Sequence, residues 1–476
     1  MSTSFIELGV PARLSDILSS QGITEPTPIQ AATLPDSIAG RDVLGRGRTG
    51  SGKTLAFLLP LIARLDKSKA RRTPKRPRAL ILAPTRELVS QIAAALEPLA
   101  QAYGFKTRTV FGGVGQGPQV QALRSGVDIL IACPGRLEDL IQQRACDLGA
   151  VEVTILDEAD HMADLGFLPA VRRLLEQTPR NGQRMLFSAT LDAGVNVLVK
   201  KFLVDPATHE ADSAQSPIAK MDHHVLHVHR DQRVPVLVDL TSAPGRTMVF
   251  TRTKHGAKAL ARQLNARGVP TVELHGNLAQ NARTRNMAAF QSGKATTLVA
   301  TDIAARGIHV DDVALVVHAD PPAEHKAYLH RSGRTARAGA AGTVVTLMTD
   351  QQVRDVRSLT RAAGINPTTT KISGPEHALL RALAPGDRVL VAGGLPDERP
   401  AQSGNGGGGG RRRSGGGGRP QGGGRGRSSQ GRSGGSGGQG GRSGGRRGGS
   451  SSTSTAYSTS SSGSHSAANF SGRRGR

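Results

Sequence analysis

Short apolar runs rich in Val, Ile and Leu recur between about residues 40 and 208, and each is followed by a stretch with helical spacing. The clearest are DVLG at 42–45, RALILA at 78–83, DILIA at 128–132, VTILDEAD at 153–160 and RMLFSAT at 184–190. Such runs alternating with helices predict a parallel sheet buried on both faces. A second series spans about 221–372, with RTMVF at 246–250, TTLVAT at 296–301, VALVVHAD at 313–320 and GTVVTLM at 342–348. The architecture repeats although the sequence does not. The expectation is an α/β chain of two tandem parallel-sheet domains, 1–208 and 221–372.

Between them DPATHEADSAQSPIAK, at 205–220, is polar, holds two prolines and lacks apolar periodicity, so 209–220 is expected as a linker. Residues 373–400 include ALLRALAPGDRVLVAGGL, to which the pattern assigns no place. Beyond 400 the composition changes to Gly, Ser and Arg: residues 401–476 hold 13 Arg and no Asp, Glu or Lys. So little apolar surface cannot offset the entropy of ordering, and a disordered tail is expected.

That tail supplies 13 of the chain's 25 net positive charges. Charge this far from neutrality favours a polyanion, nucleic acid first, over a small neutral ligand. Arg binds phosphate bidentately and stacks on bases, while Gly keeps the chain open, so binding by the tail should be sequence-tolerant and steeply salt-dependent. A second basic region, KSKARRTPKRPR at 67–78, reads equally well as part of a nucleic-acid track or as a solvated loop. Cys133 and Cys146 lack metal-ligand spacing, which argues against a disulfide framework or structural zinc and fits a reducing cytoplasm. No apolar stretch reaches the roughly 18 residues of a membrane span, and MSTSFIELGV has no leader pattern.

The chemistry begins at GRTGSGKT, Gly47–Thr54, between the strand DVLG and the apolar helix LAFLLPLIARL. Around Thr49, Gly50, Ser51 and Gly52 the backbone N–H groups can wrap phosphate oxygens, and the helix N-terminus adds positive potential. Lys53 is expected on the β- and γ-phosphates, and the Thr54 hydroxyl on Mg²⁺. Since Mg²⁺ prefers carboxylate oxygens, a second strand ending in acid is expected on the same sheet edge. VTILDEAD supplies Asp157 to hold the metal through its waters and Glu158 to polarise the attacking water.

Here the chain resembles the DEAD-box helicases, because Asp157, Glu158, Ala159 and Asp160 spell the family's name beside a matching P-loop. The resemblance covers about residues 5 to 345. It implies two RecA-like domains, ATP as substrate, RNA as partner and helicase activity. GITEPTPIQ, Gly22 to Gln30, is similar to the Q-motif, in which Gln30 would read the adenine edge; Phe5 stands where the family has an aromatic that stacks on adenine. PTREL (84–88), the pair Gly112 and Gly113, and CPGR (133–136) resemble the first domain's RNA-contact motifs, which nominates Thr85, Arg86, Gly113, Gly135 and Arg136 for phosphate and sugar contacts. Cys133 replaces the family's Thr. Ser188 and Thr190, in SAT, would couple ATP state to RNA separation through Asp160.

In the second domain HGNLAQNAR (275–283) and VATDIAARGI (299–308) nominate Gln280, Arg283, Thr301 and Asp302 for RNA, and Gly307 for the nucleotide. The ribose-contacting Asp of the family is His309 here, an imidazole that can still hydrogen-bond a hydroxyl. HRSGRTAR, His330 to Arg337, implies arginine fingers at Arg334 and Arg337, a role worth about 10³ to 10⁵ in rate. It also implies that His330 pairs with Asp160; the Gly often found before the last Arg is Ala336.

The resemblance thus implies a cytoplasmic enzyme that closes its two domains on ATP and RNA and locally unwinds short duplexes. Its partners would be RNA, bound without sequence preference, and ribonucleoprotein or RNA-decay assemblies, with no membrane. An RNA-dependent ATPase that clamps RNA or remodels ribonucleoprotein uses the same motifs. A non-enzymatic RNA chaperone would act through the tail alone.

Overall fold

The computed structural model describes residues 3–47, 50–210, 221–305, 308, 310, 312–336 and 342–395. Thr49, Gly307, His309, Arg337, most of the expected linker and the Arg-rich tail lie outside the described residues.

Seven parallel strands form the first sheet: β1 (Val43–Arg46), β2 (Ala79–Leu82), β3 (Thr107–Val110), β4 (Ile129–Ala132), β5 (Val153–Asp157), β6 (Gln183–Ser188) and β7 (Ala207–Glu210). Their order is β3-β4-β2-β5-β6-β1-β7. The second sheet repeats the plan with β8 (Met221–Val228), β9 (Arg246–Thr251), β10 (Thr271–Leu274), β11 (Thr297–Thr301), β12 (Val313–His318), β13 (Gly342–Met348) and β14 (Thr368–Ile372), in the order β10-β11-β9-β12-β13-β8-β14. These are the two RecA-like domains that the resemblance implied.

Period-two alternation explains why the central strands read as continuous apolar runs. In β2, Ala79 and Ile81 join a core with Phe57, Ile62 and Ile92 on one face, whereas Leu80 and Leu82 join Leu137, Leu140 and Leu174 on the other. Helices Lys53–Ser68 and Arg86–Ala102 cover the first face; Pro134–Gln142 and Leu168–Glu176 cover the second. Because every strand is parallel, all C-terminal ends share one edge. The loops after β1, β2, β4, β5 and β6 therefore bring the P-loop, PTREL, CPGR, the acid cluster and SAT to one side of the sheet.

Two expectations change. The first domain runs past 208, because β7 pairs with β1 through Glu210, where an Arg46–Glu210 ion pair (2.9 Å) and a His209–Asp36 contact (2.8 Å) hold it. Of the polar side chains that suggested a linker, Thr208, His209 and Glu210 belong to an edge strand. Residues 373–395, left unplaced by the pattern, pack on the second domain. Leu380 and Leu383 of the short helix Ala378–Leu383 enter its core, and Arg388 grips Asp239 with two hydrogen bonds (3.0 and 2.7 Å). Val389 and Val391 then donate their backbone N–H groups to Ser242 and Gly268.

Candidate nucleotide and RNA site

The P-loop is fixed from both sides. Helix Pro28–Ile38 starts with a capping box, Thr27 as N-cap and Gln30 at its third position, with the Thr27 N–H donating to Gln30 Oε1 at 2.9 Å. Gln30 Nε2 donates to the Gly52 carbonyl, also at 2.9 Å. One donor and one acceptor site of the amide thus serve the chain, and one of each remains. Gly52 has φ +96°, and a Cβ there would meet Thr27 Oγ1 at 2.5 Å and Gln30 Nε2 at 2.8 Å, so only glycine fits. At the other end the Gly47 N–H donates to the Ser188 carbonyl (3.1 Å). Phe5, one of the largest fully buried side chains, belongs to the first-domain core.

Below the loop lies a buried charge cluster. Lys53, at the start of its helix, has its Nζ 3.6 Å from a Glu158 oxygen. Burial pushes the ammonium's pKa down, but Glu158, Asp157 and Asp160 outweigh it and raise it above the usual lysine value. Burial pushes Asp157 up to about 7 against the pull of Lys53. Glu158 caps helix Ala159–Asp164 in the left-handed region, φ +55°. Three buried carboxylates against one ammonium leave excess negative charge. Asp157 Oδ1 is buried without a hydrogen-bond partner among the described residues, and Thr54 stands half-buried beside Lys53 at the helix start. Among the described residues no group of three or more His, Cys, Asp or Glu forms a metal cage. The cluster fits a Mg²⁺ that keeps its waters and takes phosphate oxygens, the usual habit of that ion.

Asp160 links this cluster to SAT. Its Oδ2 accepts from the Thr190 N–H (2.8 Å) and the Thr190 hydroxyl (2.9 Å), and its backbone N–H donates to Ser188 Oγ (3.2 Å), whose hydroxyl donates to the Thr190 carbonyl (2.7 Å).

The RNA candidates of the first domain gather at the ends of β2, β3 and β4. Thr85 caps helix Arg86–Ala102 through Leu88 N–H (3.2 Å). Arg86 lies so close to Gly113, φ +76°, that a Cβ there would fall 2.1 Å from its Nη1. Arg136 reaches the Val114 carbonyl at 3.5 Å, and Gly135 is exposed. Cys133 keeps the backbone bonds of its position, donating to the Val110 carbonyl and accepting from Leu137 N–H, while burial pushes its thiol up to about 12.

These groups meet the second domain directly. Arg86 donates to Gln280 Oε1 at 3.0 Å, and Glu87 accepts from Gln280 Nε2 (3.2 Å) and Arg283 Nε (2.7 Å). Glu87 was not singled out by the sequence; next to Arg86 at a helix start it looks like an ordinary first-turn acid. Thr301 ends β11, half-buried. Asp302 spends its carboxylate on Arg331, whose guanidinium is 2% exposed, donates to the Asp320 carbonyl and lies over the Phe250 ring at 5.2 Å. Arg331 is a second residue the sequence reading missed, hidden among three other basic residues of HRSGRTAR. Arg334, 5% exposed in the turn after helix His325–Ser332, donates to the Ile308 carbonyl at 2.6 Å, and His330 is half-buried on that helix.

With this geometry in place, comparison with known proteins is direct. The sequence matches the DEAD/DEAH box helicase family over residues 27–197 and the helicase conserved C-terminal domain over 230–339. It is 38% identical over 408 residues to the ATP-dependent RNA helicase RhlB of an Enterobacter species, covering 84% of this chain and 94% of that one. It is 40% identical over 365 residues to the chloroplastic DEAD-box ATP-dependent RNA helicase 3A of Zea mays, covering 75% of this chain; it spans only about half of that longer relative, 49%. The fold superposes on S. cerevisiae Dbp5 bound to RNA and ADP BeF3 with a TM-score of 0.69 at 25% identity, over 78% of this chain and 96% of that one. The chain belongs to the DEAD-box ATP-dependent RNA helicase family.

Proposed function

We propose that this chain hydrolyses ATP in response to RNA and uses the cycle to open short RNA duplexes. The observation that carries the reading is the buried cluster of Lys53, Asp157, Glu158 and Asp160, connected through Ser188 and Thr190 to the P-loop at Gly47. Lys53 would hold the β- and γ-phosphates, Gln30 would use its remaining donor and acceptor on adenine, and Glu158 would take the proton of the attacking water. Asp157 and Thr54 would hold Mg²⁺, which supplies charge neutralisation to the phosphates when bound. Arg334 and Arg337 would reach the γ-phosphate, with Gly307 and His309 toward the nucleotide and His330 toward Asp160.

RNA would run along Thr85, Arg86, Gly113, Gly135 and Arg136 of the first domain and Gln280, Arg283, Thr301 and Asp302 of the second. Phosphate and sugar contacts of this kind position a strand without reading sequence. The Arg-rich tail would add affinity, and the setting would be the cytoplasm, among ribonucleoprotein or RNA-decay assemblies. Among the described residues no helix is long and apolar enough to cross a membrane.

The deciding measurement is ATP hydrolysis with and without single-stranded RNA, on the full chain and on one ending near residue 398. Stimulation in both is expected, with Lys53→Ala and Glu158→Gln abolishing ATP-driven strand displacement. Absence of stimulation in both would overturn the reading, and stimulation without strand displacement would favour a clamp.

A further inference from the structure

The basic loop at 67–78 lies on the sheet edge opposite the nucleotide and RNA motifs. Its partners are at the N-terminal ends of the strands: Arg72 pairs with Asp128 (2.6 Å) before β4 and donates to the Gly104 carbonyl before β3, and Arg78 pairs with Glu152 (2.7 Å) before β5. Thr85, Gly113 and Asp157 are at the C-terminal ends. Strands of four or five residues separate the two edges by about 15 Å.

The loop is rigidly built. Arg76 pairs with Asp147 (3.2 Å), Arg78 also donates to the Leu65 carbonyl, the Lys75 N–H donates to the Leu123 carbonyl (2.7 Å), and the Asp147 N–H returns to the Lys75 carbonyl (2.9 Å). Lys69 and Lys75 are held at φ +50° and +64°, a conformation that costs a non-glycine residue about 1–2 kcal/mol and persists only where surroundings impose it. Three arginines thus consume the nearby acids Asp128, Asp147 and Glu152. Lys67, Lys69, Arg71 and Lys75 remain exposed, and none is paired with a carboxylate among the described residues. Lys106, Arg124 and Arg144, also exposed, lie close in sequence to residues bonded to the loop; Asp66 is the exposed acid at its border.

Beside it a cavity of about 460 Å³ is lined by Arg64, Lys67, Ser68, Glu152, Asn181 and Gly182. The exposed large apolar residues lie elsewhere, at Ile6, Val114, Val197, Val204, Ile303 and 389–391. Ala150, Val151 and Pro179 also line the cavity, but no large exposed apolar side chain stands on this surface to anchor a protein partner, whereas a phosphate backbone needs none.

We propose that this loop is a second RNA-backbone site, which holds the structured arm adjoining the strand bound at the motif edge. This rests on the RNA-helicase reading above. The site is preorganised, since its backbone is already fixed by Arg72, Arg76 and Arg78, and it acts only on RNA long enough to pass around the first domain.

The test uses the full chain carrying Lys67→Gln, Lys69→Gln, Arg71→Gln and Lys75→Gln together. Binding is read by fluorescence anisotropy against salt, with a single strand of about ten nucleotides and with the same strand extended by a hairpin of about thirty. For the hairpin, affinity should fall about tenfold at about 0.1 M salt, and the log–log salt slope should become shallower by about 3, four contacts at 0.7–0.9 each. The short strand should bind within about twofold of the unaltered protein and stimulate ATP hydrolysis to the same kcat. Unchanged hairpin affinity and slope would overturn the proposal, as would equal losses on both RNAs. Loss of short-strand stimulation in the unaltered protein would instead overturn the helicase reading. As a measurement free of folding effects, photocrosslinking of the unaltered protein to the hairpin should label peptides spanning 67–78; labelling confined to the motif edge would also overturn the proposal.

Discussion

Glu158 combines two features that stability alone would disfavour, a left-handed backbone and a carboxylate beside two others in a buried site. Strain of this sort costs on the order of 1–3 kcal/mol and persists where function requires it. Glu158→Gln keeps the shape and removes the proposed base, so kcat should drop by about 10²–10⁴ with nucleotide affinity largely retained, as paired kinetic and binding titrations would show. Asp157 gives a pH prediction. Folding raises its pKa from 3.8 to about 7, so its contribution to the nucleotide-free protein is fully present below 3.8 and is lost as pH rises toward 7. Thermal melts of wild type and Asp157→Asn should therefore converge at low pH and diverge toward neutrality, with the wild type losing relative stability; parallel curves would refute it. At this scale the motifs nominated Lys53, Asp157, Glu158, Asp160, Ser188 and Thr190, and the fold brings these residues together. Glu87 and Arg331 were hidden because their partners, Arg283 and Asp302, are chosen by folding and not by neighbourhood in the chain.

Elements were legible according to how deeply they are buried. The nine strands anticipated from apolar runs are all flanked by other strands on both sides. β3, β7 and β14 escaped notice because they are sheet edges, partly exposed and polar, and β10, an edge strand that is mostly buried, because TVEL offers only two apolar positions. β8 escaped for another reason: its sequence MDHHVLHV hides four apolar positions among three histidines. Histidines of β8 and β12 meet at Tyr328 in the second domain. His223 contacts the Tyr328 hydroxyl at 3.1 Å, and the buried His318 contacts Thr346 at 3.0 Å and packs edge-on to the Tyr328 ring. Burial lowers His223 to about 4 and His318 well below its usual value. A depressed histidine contributes stability that is intact above pH 6.5 and is lost as pH falls toward 4. Hydrogen exchange across that window should show protection falling first around β8, β12 and helix His325–Ser332; uniform loss over both domains would count against it. In the first domain, Gly113→Ala would drive a methyl group into Arg86, so RNA affinity should fall about tenfold or more with RNA-independent ATP hydrolysis unchanged.

For the whole molecule, the contacts of Arg86 and Glu87 with Gln280 and Arg283 join the domains, and all of these side chains but Glu87 were nominated for RNA. Burial pushes Glu87 up, but the Arg283 hydrogen bond and charge outweigh it and hold the carboxyl below the usual value. Glu87→Gln should leave each domain's melting intact and reduce RNA-stimulated ATP hydrolysis; a fluorophore pair across the domains would show less of the RNA-bound arrangement. The segment 373–395 is as much part of the second domain as its strands, so Leu380→Ala should cost about 2–5 kcal/mol, measurable by denaturant unfolding. The P-loop is tied to Gln30 at Gly52 and to Ser188 at Gly47, which constrains how this chain could evolve. On the proposed reading, base preference, grip on phosphate and duplex opening would share one short piece of backbone. A lineage that altered its nucleotide choice at Gln30 would disturb all three traits in a single step, and selection would then favour drift in the RNA surfaces over any change of fuel.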